Sequence, residues 1–131
     1  MNKQELLKKY KNFAVIGVTE DQSKYSYKIF ERLLSLDYTV VGISPKYKEV
    51  LNQKLFTSLE ETNQPIDIVV FVVNPKYAYD YVNEMRNMGI KYAWMQPGTI
   101  DKKLKEYMNT IGIEAIEGCI LIETDDMIKH L

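Results

Sequence analysis

Seven residues near the start of the chain, Phe13-Ala14-Val15-Ile16-Gly17-Val18-Thr19, constrain the fold more than any others. Four apolar residues lead into a glycine, then into the polar run Glu20-Asp21-Gln22-Ser23-Lys24, and an amphipathic run follows over residues 25–36. A continuous apolar run has no polar face to offer solvent, so it reads as a parallel strand covered on both sides, and the amphipathic run reads as the helix it feeds. In such a unit the turn and the helix N-terminus present backbone N–H groups that suit a phosphate. Later segments look like further strand–helix units, so the chain is expected to form a small nucleotide-type binding domain.

Taken in order, residues 2–10 place Leu6, Leu7 and Tyr10 at helical spacing, which predicts a short helix against the sheet edge. A first strand is expected over residues 12–18 and a helix over 25–36, with Ile29, Leu33 and Leu36 on one face, Phe30 and Leu34 beside them, and Ser23 or Ser26 as N-cap. Asp37 should end it. The second strand is residues 38–43, stopped by Pro45, which cannot extend a ladder. Residues 54–56 read as a short third strand and 58–61 as one helical turn. Residues 66–73 are the most strand-like in the chain and should lie centrally. A helix over 75–88 follows, with Tyr77, Tyr81, Met85 and Met88 spaced for burial and Gly89 as its C-cap. Then come a strand over 91–95, a helix over 101–110 starting near Asp101, a last strand over 113–116, and a tail that is apolar at residues 119–122 and acidic beyond. Strands alternating with helices predict one α/β domain over residues 1–131, with three layers and a mostly parallel sheet of five or six strands.

Charge and cysteine content narrow the function classes. A formal net charge of −1 provides no overall field for nucleic acid or an anionic membrane, so any anion site must be local. One cysteine excludes an internal disulfide and fits a reducing compartment. No apolar run approaches the roughly 20 residues needed to span a bilayer, and residues 1–10 lack the apolar core of a signal peptide. The expected location is the cytoplasm, with neither nucleic acid nor membrane as a partner.

Ligands of open α/β sheets sit beyond the carboxyl ends of the strands. Four such ends carry turn residues and small or amide groups: Gly17-Val18-Thr19, Ser44-Pro45-Lys46, Val73-Asn74-Pro75 and Gln96-Pro97-Gly98. Together they predict a shared cleft. The first turn is not a dinucleotide fingerprint, because only Gly17 stands where three glycines are needed. Lys24 and Lys28 are candidates to meet phosphates, with Thr19, Ser23 and Ser26 as hydroxyl donors. The second strand end discriminates further. An NAD site places an acid there for the ribose hydroxyls, whereas this chain has Ser44-Pro45-Lys46 and no acid until Glu49. A lysine suits a phosphorylated ribose, which leaves NADP or coenzyme A.

These residues carry a family resemblance. From about Phe13 to Cys119 the chain resembles the small stand-alone CoA-binding proteins, which are related to the CoA-binding domain of the succinyl-CoA synthetase α subunit. The family's first turn is matched by Gly17-Val18-Thr19 and Ser26-Tyr27, and its second-strand end by Ser44-Pro45-Lys46-Tyr47. Its Trp-x-Gln-x-Gly is matched by Trp94-Met95-Gln96-Pro97-Gly98, and its late cysteine by Cys119. Ser44 stands where the family usually has Asn, Tyr25 where it has Pro, and Lys24 where it has Arg, which removes a bidentate fork on phosphate. The resemblance implies a Rossmann-like fold and CoA as ligand. It places Gly17, Thr19, Ser26, Ser44, Lys46, Asn74, Pro75 and Gln96 near the ligand. Counting the neighbours on the same strand ends, the candidate site is Gly17, Val18, Thr19, Lys24, Ser26, Ser44, Pro45, Lys46, Val73, Asn74, Pro75, Gln96 and Pro97.

No catalytic constellation accompanies these motifs. The resemblance implies that the synthetase domain works beside a second domain carrying a phosphorylated histidine. The single histidine here, His130, reads as a tail residue. Cys119 reads as a buried, inert thiol, its functional alternative being a mixed disulfide with the CoA thiol. The carboxylates show no metal spacing. The leading expectation is therefore a ligand-binding protein for CoA or an acyl-CoA, without catalysis of its own. The alternatives are an NADP-binding oxidoreductase or redox sensor, and a structural subunit whose 10 tyrosines serve a homodimer or a partner protein.

Overall fold

In the computed structural model, which describes residues 1–129, seven strands lie side by side in one sheet. They are β1 (Asn12–Ile16), β2 (Thr39–Ile43), β3 (Glu49–Val50), β4 (Gln53–Phe56), β5 (Ile68–Phe71), β6 (Tyr92–Met95) and β7 (Glu114–Glu117). Their spatial order is β3-β4-β2-β1-β5-β6-β7. Only β3 runs antiparallel, against β4, and all other neighbouring pairs are parallel. The five helices are α1 (Lys3–Lys9), α2 (Tyr25–Ser35), α3 (Tyr79–Met88), α4 (Lys102–Thr110) and α5 (Ile120–Ile128). His130 lies outside the described residues.

The side-chain period of two explains the three layers. Phe13 and Val15 of β1, Val40 of β2, Ile68 and Val70 of β5 and Trp94 of β6 point to one face, where they meet Leu6 and Leu7 of α1, Ile29, Phe30 and Leu33 of α2, and Ile120 of α5. Ala14, Ile16, Val41, Ile43, Val69, Phe71, Ala93 and Met95 point to the other, against Val82 and Met85 of α3 and Leu104 and Met108 of α4. The uninterrupted apolar runs are thus strands buried on both faces. Gly42 permits close contact of β2 with α2, since a Cβ there would stand 2.5 Å from Leu55 Cδ2 and 3.2 Å from the Phe30 ring.

Several expected boundaries and faces move, each for a physical reason. β1 stops at Ile16 because Gly17, at φ +96°, turns the chain out of the sheet. The N-cap of α2 is Lys24 and not Ser23 or Ser26, because Ser23 is tied to Asp21 and Ser26 is buried within the helix. Residues 75–88 are not one helix: a 3₁₀ turn, Pro75–Tyr77, precedes α3. The buried face there is Ala78, Val82 and Met85, whereas Tyr77 is 58% exposed. The expected turn over residues 58–61 is a 3₁₀ turn one or two residues later, Glu60–Thr62. The sheet gains β3 through a hairpin whose two loop residues, Leu51 and Asn52, both have positive φ. The tail is α5, fastened by Arg32, which donates to Leu121 O, Thr124 Oγ1 and Asp125 Oδ1.

Candidate functional site: the strand-end cleft

The strand order reverses between β1 and β5: from β1 the sheet grows through β2 to one edge, and from β5 through β6 to the other. Their carboxyl ends diverge at this switch point, where a crevice opens in folds of this type. Gly17 and Val73 flank it. A Cβ on Gly17 would stand 2.7 Å from Val73 Cγ1 and 3.0 Å from the Val72 carbonyl oxygen, so a side chain there would fill the gap.

The first turn uses part of its own donors. The N–H groups of Gly17 and Val18 both donate to the Ile43 carbonyl, at 2.9 and 3.1 Å, so these two are unavailable to an anion. Thr19 Oγ1 accepts from Asp21 N. Asp21 accepts from both the backbone and the hydroxyl of Ser23, and these bonds hold its carboxyl below the usual carboxylate range. What remains open is the N-terminus of α2. Its N-cap, Lys24, supplies no side-chain acceptor, unlike Asn2 at α1 and Asp101 at α4, which cap their helices. Lys24 and Lys28 are exposed beside this end, and Ser26 is buried in its first turn.

After β2, the buried hydroxyl of Ser44 accepts from the N–H groups of Lys46 and Tyr47, at 3.1 and 3.0 Å. Ser44 therefore shapes the turn, and Pro45 and Lys46 are left exposed on it. The Lys46 ammonium lies 5.1 Å from the centre of the Tyr47 ring.

The remaining predicted residues divide. Asn74 Oδ1 accepts from Lys76 N and so caps the 3₁₀ turn that Pro75 opens. Gln96 is also buried, and its Oε1 accepts from Ile120 N at 2.7 Å and so caps α5. Pro97 is exposed beyond β6. Cys119, at the N-cap of α5, is half-buried rather than buried.

A groove of about 710 Å³ runs from the switch point along α3. Of the predicted residues it gathers Gly17, Pro45 and Val73. Its other walls were not foreseen: Thr57 and Ser58 after β4, Lys76 and Tyr77 of the 3₁₀ turn, and Tyr79, Asp80, Tyr81, Asn83, Glu84 and Asn87 of α3. Glu84 accepts from the N–H groups of Leu59 and Glu60, at 2.7 and 3.1 Å, and so binds α3 to the 3₁₀ turn Glu60–Thr62. Burial, and then the charges of Glu84 and Asp80, push the Tyr81 hydroxyl above the ordinary tyrosine range. The polar stripe Asp80, Asn83, Glu84 and Asn87, at helical spacing, was the available signal for this wall. Among the described residues no three His, Cys, Asp or Glu side chains are grouped to hold a metal ion, and no helix is long and apolar enough to cross a membrane.

The sequence matches the family model described as CoA binding domain over residues 11–125. The chain belongs to that CoA-binding domain family. Its relatives include an uncharacterized protein, YneT, of Bacillus subtilis, 23% identical over 108 residues, with 82% of this chain and 80% of the relative covered. An ADP-forming acetate–CoA ligase of Archaeoglobus fulgidus is 24% identical over 113 residues. That match takes in 79% of this chain but only 16% of the ligase. A solved structure of a hypothetical protein from Pyrococcus horikoshii superposes with a TM-score of 0.88 at 26% identity, covering 95% of this chain and 89% of that one. This CoA-binding domain therefore matches small chains nearly end to end and a large ligase over one part.

Proposed function

We propose that this chain binds coenzyme A, or an acyl-CoA, at the carboxyl ends of its parallel strands through the 3′-phospho-ADP part, and that it acts as a binding module without catalysis of its own. The observation that carries this reading is Lys46, exposed on a turn that Ser44 builds at the end of β2. An NAD site would place an acid at this end, to hold the free ribose hydroxyls. A lysine attracts a phosphorylated ribose instead, and membership of the CoA-binding domain family favours CoA over NADP as its source. The uncapped N-terminus of α2, with Lys24 and Lys28 beside it, is suited to the diphosphate, which would supply the acceptor that Lys24 does not. Thr19 and Ser26 lie along the same turn. The groove at Gly17, Pro45 and Val73 has room for the nucleoside. Bound CoA supplies a thiol that carries acyl groups as thioesters, and the chain's own residues are assigned only to holding the nucleotide end.

Calorimetric titration with CoA, dephospho-CoA and NADP tests this. CoA should bind at least about tenfold more tightly than dephospho-CoA, the worth of one charge-assisted contact to phosphate. Equal affinity for the two would remove the role given to Lys46. Preference for NADP would move the chain to a redox function.

A further inference from the structure

The groove beside α3 differs in charge from the rim above it. Around α2 and the end of β2 the exposed Lys24, Lys28 and Lys46 stand among the exposed Glu20, Asp21, Glu31 and Glu49, so the two signs are mixed there, whereas the groove walls hold Glu60, Asp80 and Glu84 against Lys76 alone. A wall of that sign repels phosphates, so the uncharged end of a nucleotide is what it admits. The groove's hydrogen-bond donors are partly spent: the Thr57 hydroxyl donates to Glu61, and the Tyr81 hydroxyl reaches Thr57 O at 3.5 Å. Among its acceptors, Glu84 is held by two backbone N–H groups and Asn83 by the Tyr107 hydroxyl. Asp80 is exposed and takes part in none of the ion pairs found among the described residues. It sits one turn beyond the exposed Tyr77, whose ring has the Lys76 ammonium 4.9 Å from its centre, so a stacked base would use the ring face opposite that ammonium.

We infer that Asp80 is a specificity-determining residue, its carboxylate accepting from the exocyclic amino group of an adenine lodged in this groove. The inference rests on the reading of the strand ends as a CoA site and adds a direction to it. The phosphates lie over α2 and Lys46, and the base points along α3. A base without an amino donor at that edge leaves the Asp80 carboxylate facing a group that cannot pair with it.

The test is a binding cycle with adenosine 3′,5′-bisphosphate and its purine analogue carrying hydrogen at position 6, on wild type and Asp80→Ala. Wild type should bind the adenosine compound about tenfold or more tightly than the analogue, the worth of a charge-assisted hydrogen bond. Asp80→Ala should lose that preference while binding the analogue as wild type does. If adenosine 3′,5′-bisphosphate binds but the analogue binds equally well, or Asp80→Ala keeps the gap, the role of Asp80 is wrong and the CoA reading stands. If wild type binds neither CoA nor adenosine 3′,5′-bisphosphate, the CoA reading itself fails and this inference with it.

Discussion

Gly17, at the cleft, and Tyr38, at the opposite end of the strands, show how single residues hold the fold in place. Gly17 combines φ +96° with a Cβ position 3.0 Å from the Val72 carbonyl oxygen, an atom that can move only with β5. Gly17→Ala should therefore destabilise the fold by about 1–3 kcal/mol, through backbone strain and close contact together. A denaturant midpoint equal to wild type would mean that the turn relaxes without cost. Tyr38 is buried, and its hydroxyl donates to the Leu7 carbonyl at 2.6 Å, which ties α1 to the residue preceding β2. Burial raises its ionisation above the ordinary tyrosine range. The unfolded chain releases this proton near pH 10, so the contribution is whole below that pH and is lost as pH rises through the higher folded value. Tyr38→Phe should be about 1 kcal/mol less stable at neutral pH and should lose less stability than wild type above about pH 10. Parallel alkaline profiles for the two proteins would contradict this.

Among the elements, α3 links packing to the site. Its inner face, Val82 and Met85, is core, while Glu84 reaches across to the N–H groups of Leu59 and Glu60. Replacing Glu84 with Ala strips an acceptor from two donors at the start of a 3₁₀ turn and should cost about 1–2 kcal/mol in thermal or denaturant unfolding. An unchanged melting temperature would show that water replaces the carboxylate. The elements legible in the sequence were those with strong local signals: apolar runs for β1, β2, β5 and β6, Gly89 after α3, and Asp101 before α4. The missed ones lack such signals. β4 is expected over residues 54–56, but β3 is not, because the hairpin that adds it turns on Leu51-Asn52, with no glycine to mark the positive φ values. The apolar start of α5, Ile120-Leu121-Ile122, reads as easily as a strand, and its cap comes from Gln96, which is distant in sequence. Within the candidate site, the loops were legible because strand ends must turn. The α3 wall was not, because its polar stripe reads as an ordinary solvated face until the groove gives it a neighbour.

For the molecule as a whole, the net charge of −1 conceals a local excess of carboxylates in the groove along α3, where Glu60, Asp80 and Glu84 stand against Lys76. The chain belongs to the CoA-binding domain family, and in the function proposed for it the extra phosphate of CoA is read by Lys46, exposed on the turn that Ser44 builds. The measurement that tests this most directly is a calorimetric cycle of wild type and Lys46→Ala against CoA and dephospho-CoA. If the Lys46 ammonium holds the 3′-phosphate, losing either partner should weaken binding by about tenfold, and losing both should cost little more than losing one. Losses that simply multiply, or a Lys46→Ala protein that still prefers CoA as strongly as wild type, would contradict the account.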